Sequence, residues 1–363
     1  MYKTLLPATT LLIAAQVLAQ GSIVSPIVSA TAEGSSANAF PFSSAVVRRY
    51  MQIHGDLGTT PQLFKKLRFR PSAPTAATTY TGTLALDVEL YMGQSNGVDK
   101  ASMFFKNNYV LPPTTAIARK IVNMGPQGLV TPPGPIPFNT AMELVLDAPF
   151  LYTGTKACVW ELVVYSNTIS GSFQTVDADS VTHVSGVSAI TGTGCIATGQ
   201  TAAMAHTMSA VDSSGILALN FTVTAAPASA PILAAIGISN PNLPVFGLCS
   251  NLYTDLLAVL PIGSASATGA ITTTESGAST LFLPNLYGGA TLYTQCHAPD
   301  LTRVDPIPVC NSNGRSIVLP MPNLTKVINA CRIFNNAGGT TATQGVYFTT
   351  STIGYALPTE FVY

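Results

Sequence analysis

Charge is scarce in this chain of 363 residues: Asp, Glu, Lys and Arg together make 9%, with sixteen acids against sixteen bases, where about 25% is usual. No Lys or Arg occurs between Lys156 and Arg303. A nucleic-acid partner is therefore excluded, because phosphate contacts need clustered cations. Helical stripes of period 3.6 are missing, and past the first twenty residues no apolar run approaches the roughly 20 residues of a membrane helix. A mature chain without a membrane span is expected. No CxxC or HxxxH spacing is present, which excludes the common zinc sites. No Ser/His/Asp set stands in a recognisable context. The chain reads as a non-enzyme without a metal or cofactor.

What the sequence does have is turn and strand chemistry. There are 26 Pro and 29 Gly, and the segments between them are rich in Thr, Ser, Val and Ala. In "GTLALDVELYM" (82–92) Leu84, Leu86, Val88, Leu90 and Met92 alternate with less apolar residues, as a half-buried strand requires. "ACVWELVVY" (157–165) and "GILALNFTV" (215–223) read the same way, and further strands are expected at 231–238, 255–261, 279–283, 290–297 and 314–320. Short strands with frequent turns predict an all-β fold of two antiparallel β-sandwich domains, jelly-roll or Ig-like. The first is expected over 37–167 and the second over 168–322, with a β-prone C-terminal extension over 323–363.

The chain opens with Lys3, an apolar run and Val17-Leu18-Ala19, the pattern of a secretory signal peptide over 1–19. A flexible or strand-donating leader follows at 20–36. Export makes disulfides the default for the six cysteines, Cys158, Cys195, Cys249, Cys296, Cys310 and Cys331. "LYTQCHAPD" (292–300) sets Cys296 beside His297, as a nucleophile and base would be set. On a strand, however, adjacent side chains point to opposite faces. Cys296 is better read as bonded to Cys310, fourteen residues on.

Several stretches together are similar to a group of secreted proteins of planctomycete-type bacteria. In the first half they are "FPF" (40–42), "RRYMQIH" (48–54), "LFKKLRFRP" (63–71), "MFFKNN" (103–108) and "MELVLDAPFLYTG" (142–154). In the second half they are "GTGC" (192–195), "APASAPILAAIGISN" (226–240), "LPIGSASATGAITT" (260–273), "LYTQCHAPD" and "CNSNGRSIVLP" (310–320). The resemblance implies secretion and β-sandwich modules, and carries no catalytic residues. It also favours pairing Cys195 with Cys249, which leaves Cys158 and Cys331 as a residual pair.

The remaining candidates have plain structural readings. His54, His183, His206 and His297 are scattered, and Trp160 reads as core. Asp87 and Glu89 read as a solvated strand edge, Asp177 and Asp179 as a poor calcium loop, and Lys65 to Arg70 as a solvated basic face. The function expected is a secreted structural protein, at the cell surface or outside it, that assembles with copies of itself into a filament, layer or matrix. The assembly candidates are Ile23, Val24, Ile27 and Val28 in the leader and Tyr347, Phe348, Ile353, Tyr355, Leu357 and Phe361 in the tail, placed to add strands to a neighbour. The alternative is a carbohydrate-binding or adhesin-like module for a surface glycan, with Tyr91, Tyr109, Tyr152 and Tyr287 as stacking candidates. A secreted hydrolase and an outer-membrane barrel ending at Tyr363 are the remaining readings.

Overall fold

A computed structural model describes residues 21–42, 48–271, 280–335, 339–345 and 353–363. The expected signal peptide, Tyr347 and Phe348 lie outside the described residues. The chain is all-β, and its strands are β1 (Ser22–Ser25), β2 (Ser36–Asn38), β3 (Arg48–His54), β4 (Gln62–Arg68), β5 (Thr78–Tyr80), β6 (Thr83–Ser95), β7 (Thr114–Met124), β8 (Gly128–Val130), β9 (Glu143–Tyr152), β10 (Ala157–Ser170) and β11 (Val176–Ser180). They continue with β12 (Val184–Ser185), β13 (Val187–Thr191), β14 (Ala205–Ser213), β15 (Ile216–Thr224), β16 (Pro231–Gly237), β17 (Ala258–Ser264), β18 (Thr280–Pro284), β19 (Thr291–Pro299), β20 (Val309–Val318), β21 (Ala330–Asn335), β22 (Tyr355–Ala356) and β23 (Thr359–Val362).

Two groups of antiparallel sheets result. The first has a four-stranded sheet, β1-β23-β4-β9, a five-stranded sheet, β21-β3-β10-β6-β7, a small sheet, β2-β11-β22, and the ribbon β5-β8. The second has a four-stranded sheet, β12-β14-β15-β18, and a five-stranded sheet, β13-β20-β19-β16-β17.

Alternation decides what is buried. Leu84, Leu86, Val88, Leu90 and Met92 of β6 all face one cluster, where they meet Phe64 and Leu67 of β4 and Leu144 and Phe150 of β9. Trp160 lies at its centre, stacked on Tyr50 at 5.4 Å and donating its indole N–H to His54 Nε2 at 2.9 Å. The second group has its own cluster, in which Leu219 and Phe221 of β15 share the interior with Ile232 and Ala234 of β16 and with Ile317 of β20. A third cluster, with Met51, Ile53, Val159 and Ile333, covers the other face of the first five-stranded sheet. Ile216 and Phe282 of the second group pack against it, so the two groups touch there.

The tail corrects the expected order of domains. It is no separate extension: β21 pairs with β3, β22 with β11, and β23 lies between β1 and β4. Phe361 is fully buried, 4.9 Å from the Phe64 ring and 5.0 Å from the His54 ring. The second group is thus inserted between β11 and β21 of the first. The boundary expected at 167/168 falls inside β10, whose ladder to β6 runs on to Ser170.

The leader is equally committed. Asp56 accepts from the Ile27 N–H at 2.8 Å and from the Ser25 hydroxyl. Asp177 accepts from the Gly34 N–H at 3.1 Å and pairs with the buried Arg70 at 2.6 Å. Asp179 accepts from the Ser35 N–H at 3.1 Å and pairs with Lys326. A bare loop would leave these backbone donors to water, whereas three carboxylates hold them to the sheets.

Candidate functional site

The structure forms one disulfide among the described residues, Cys195–Cys249, joining the loop after β13 to the loop after β16. The other two expected bonds are absent, and Cys158, Cys296, Cys310 and Cys331 are buried thiols. Register explains both cases. Cys310 lies opposite Ala298, not Cys296, so the two residues are diagonal neighbours whose Cα atoms stand about 7–8 Å apart, farther than a disulfide spans. Cys158 and Cys331 flank β3 from its two sides and face different clusters. Two strand spacings, roughly 10 Å, and a sheet separate them. Burial pushes the Cys296 thiol well above the usual range, the opposite of what a nucleophile needs.

Cys296 and His297 do point apart. Cys296 enters the second core, while His297 Nδ1 meets Asn311 Oδ1 at 2.8 Å. His54 and His206 are buried, and burial drives each down to about 3. Both are neutral members of polar networks: Ser25, Gln52 and Trp160 surround His54, and Thr294 and Ser312 surround His206. Gly93 to Gly97 spells GxSxG, yet the segment ends an antiparallel strand and leads into the short 3-10 turn Val98–Lys100. Ser95 Oγ accepts from the Gly97 N–H at 3.5 Å. The strand, turn and helix of a nucleophile elbow are not formed there.

The acidic and basic candidates turn out to be partners. Asp87 and Glu89 lie on β6, an interior strand and not an edge. Asp87 binds Arg119 at 2.7 Å, which holds its carboxyl below the usual range, and Glu89 accepts from the Tyr165 hydroxyl at 3.0 Å. The basic face of β4 is not free either, since Lys66 and Arg68 reach Glu143 at 3.1 and 2.5 Å. Asp177 and Asp179 spend their carboxylate oxygens on the Gly34 and Ser35 amides and on Arg70 and Lys326. Among the described residues no group of three His, Cys, Asp or Glu could hold a metal, and no helix is long and apolar enough to cross a membrane.

The chain ends do add strands, but to their own sheets. Ile23 and Val24 sit opposite Phe361 and Glu360, and Ile353, Tyr355, Leu357 and Phe361 are buried. Ile27 and Val28 stay exposed on the 3-10 turn Ile27–Ala30. The candidate surface for contact with a neighbour lies elsewhere, at the sheet edges. A free edge offers unpaired N–H and C=O groups to another chain, and Pro or charge is the usual block. β7 carries Arg119 and Lys120; β9 carries Asp147 and Pro149; β21 carries Arg332; β17 carries Pro261; β18 ends at Pro284. Strands β2, β5, β8, β12 and β22 have three residues or fewer, and β1 runs directly into Pro26.

β13, with the sequence VSAIT, has neither Pro nor charge. It pairs with β20 on one side, and among the described residues no strand pairs with its other side. Val187 is 74% exposed and Ile190 62%. The signal was legible only in part, because "VSAIT" is strand-like by composition but its place at an edge depends on pairing with β20, more than 120 residues away.

Of the tyrosines, Tyr91 and Tyr109 come together in one groove, Tyr152 is buried, and Tyr287 is exposed in the loop after β18. No protein family, curated protein or solved structure matches the chain.

Proposed function

We propose that the protein is a secreted, non-catalytic structural component in which two β-sandwich modules, jelly-roll or Ig-like, assemble with copies of the chain into an extracellular filament, layer or matrix. The observation that carries this reading is the unprotected edge of β13. A second copy that adds its own β13 antiparallel there would gain main-chain hydrogen bonds and cover Val187 and Ile190 without any need for matched charges. Low charge works in the same direction, since little long-range repulsion opposes contact. The disulfide fits an extracellular protein, as does the lack of a long apolar helix among the described residues.

A β13 pair is isologous and closes as a dimer, so a filament needs a second patch. The loop after β16 and the loop between β19 and β20 supply one. They meet where the Ile307 N–H donates to the Gly247 carbonyl at 3.1 Å. They present Phe246, 91% exposed, and Val304, fully exposed.

Cysteines placed singly at Ser188, Ala189 and Ile190 test the contact. Mild oxidation is expected to give covalent dimers at one of the three positions, with electron microscopy showing regular polymers of the mature protein. A protein that stays monomeric at high concentration and forms no crosslink at any of these positions contradicts the reading.

A further inference from the structure

The outer face of the first five-stranded sheet carries a groove of about 530 Å³, within the range of small-ligand sites. Its floor is built by strand alternation. Glu89 and Tyr91 of β6 point outward with Glu161 and Tyr165 of β10, since β10 pairs with β6 so that Glu161 lies opposite Tyr91 and Val163 opposite Glu89. The wall is the segment from Lys106 to Pro113.

That wall is held in place. Asn108 Nδ2 donates to the Ser102 and Phe104 carbonyls at 2.7 and 3.1 Å, its Oδ1 accepts from the Ser102 N–H at 2.7 Å, and the Val110 N–H donates to the Gln94 carbonyl at 2.8 Å. The Tyr109 ring lies directly on Gly93, where a Cβ would come within 2.5 Å of it.

The polar groups are ordered before any ligand arrives. The Tyr109 hydroxyl donates to Glu161 Oε2 at 2.7 Å, and Arg49 pairs with the other oxygen of that carboxylate. Burial and the Glu89 carboxylate push the Tyr91 hydroxyl up to about 12, so it stays a phenol. Arg119 caps Tyr165 with its guanidinium 3.8 Å from the ring centroid.

We propose that this groove is a binding site for a neutral polysaccharide, with Tyr91 and Tyr109 as the stacking platform and Glu89 as the acceptor for sugar hydroxyls. Two observations select that class. The charges lining the groove, Arg49 and Lys106 against Glu89 and Glu161, balance, which favours neither a polyanion nor a polycation. Rigid tyrosines beside fixed carboxylates suit a ligand that offers apolar C–H faces and a rim of hydroxyls. The site is independent of the β13 edge, which belongs to the second group of sheets.

The test is calorimetric titration of the mature protein with cellohexaose, laminarihexaose, mannohexaose and xylohexaose. At least one is expected to bind with a Kd on the order of 0.1 to 1 mM, and Tyr91→Ala and Tyr109→Ala are each expected to weaken it about tenfold. Gly93→Ala, which displaces the Tyr109 ring, should weaken it as well, and Ile190→Lys should leave it unchanged. In the wild-type chain, which needs no variant to fold, the bound sugar should slow hydrogen exchange over residues 106–113. The proposal is overturned if none of the four hexasaccharides binds at about 10 mM, if binding ignores both tyrosines, if exchange over 106–113 does not change, or if a proline-rich peptide occupies the groove in place of the sugars.

Discussion

The two groups of sheets solve the same packing problem with different means. The first holds nearly all the paired charge: Arg49–Glu161, Lys66–Glu143, Arg68–Glu143, Arg70–Asp177, Arg119–Asp87 and Lys120–Asp147 all lie within it. The first and last strands of the described residues, β1 and β23, are also laid into its sheets. The second group, between β11 and β21, has Arg303–Asp305 as its one ion pair among the described residues, and a disulfide across 54 residues of sequence. Where charge and the strands β1 and β23 are available, they block edges and fill the core. Where charge is scarce, a covalent tie holds the loops, and one edge is left open.

The contrast can be broken from either side, and the largest effect should come from the tail. Deleting residues 359–363 removes an interior strand with Phe361 and should unfold the first group; Phe361→Ala alone should cost about 3–5 kcal/mol. Hydrogen exchange read by peptide checks this, with protection lost over β3, β4 and β9 and retained over β15 and β19. Equal loss in both groups would show that the second group depends on the tail as much as the first.

Cys249→Ser acts on the other side. Opening a loop of this length should cost about 4 kcal/mol by the chain-entropy model, concentrated in the second group. Denaturant unfolding with and without reductant measures it, and reductant should leave the Cys249→Ser chain unaffected.

Acid should act on both groups, and more on the second, because burial lowers His54 in the first and both His206 and His297 in the second. Folding lowers His54 and His206 to about 3 from 6.5, so below pH 6.5 the unfolded chain binds more protons. The stabilisation is complete above pH 6.5 and is lost as pH falls toward 3, at up to about 1.4 kcal/mol per pH unit for each histidine. Unfolding at pH 7 and pH 5 checks the slope, and His54→Gln and His206→Gln should each reduce it.

The smallest effect on stability belongs to the open edge. Ile190→Lys lies on the surface and should change stability by no more than about 0.5 kcal/mol, while its charge should block pairing along β13.

Much of the fold was legible residue by residue, and much less was legible over long range. The alternation at Leu84 to Met92 named the buried face of β6 because period 2 is a local property. Pairing is not local. The tail read as strand-forming, but nothing in "EFV" says that Phe361 fills a space between Phe64 and His54. Asp177 and Asp179 looked like a weak metal loop because their partners, the Gly34 and Ser35 amides, are more than 140 residues away. Spacing suggested Cys296–Cys310, and the register of one ladder, which sets Cys310 against Ala298, removed it. Cys195–Cys249 had no local signal, since its two loops lie 54 residues apart in sequence. Of the groove, Tyr91 and Tyr109 were singled out as aromatics, whereas Gly93, which lets Tyr109 lie on the sheet, had no signal of its own.

In the proposed assembly, copies of this chain meet through the edge of β13. Sedimentation velocity over a concentration series, comparing the mature chain with Ile190→Lys, tests it most directly. Concentration-dependent growth beyond the dimer is expected for the wild type, whereas Ile190→Lys, left with the Phe246 and Val304 patch alone, should form nothing larger than a dimer at any concentration. A wild type that remains monomeric throughout, or an Ile190→Lys chain that associates as strongly as the wild type, would contradict it.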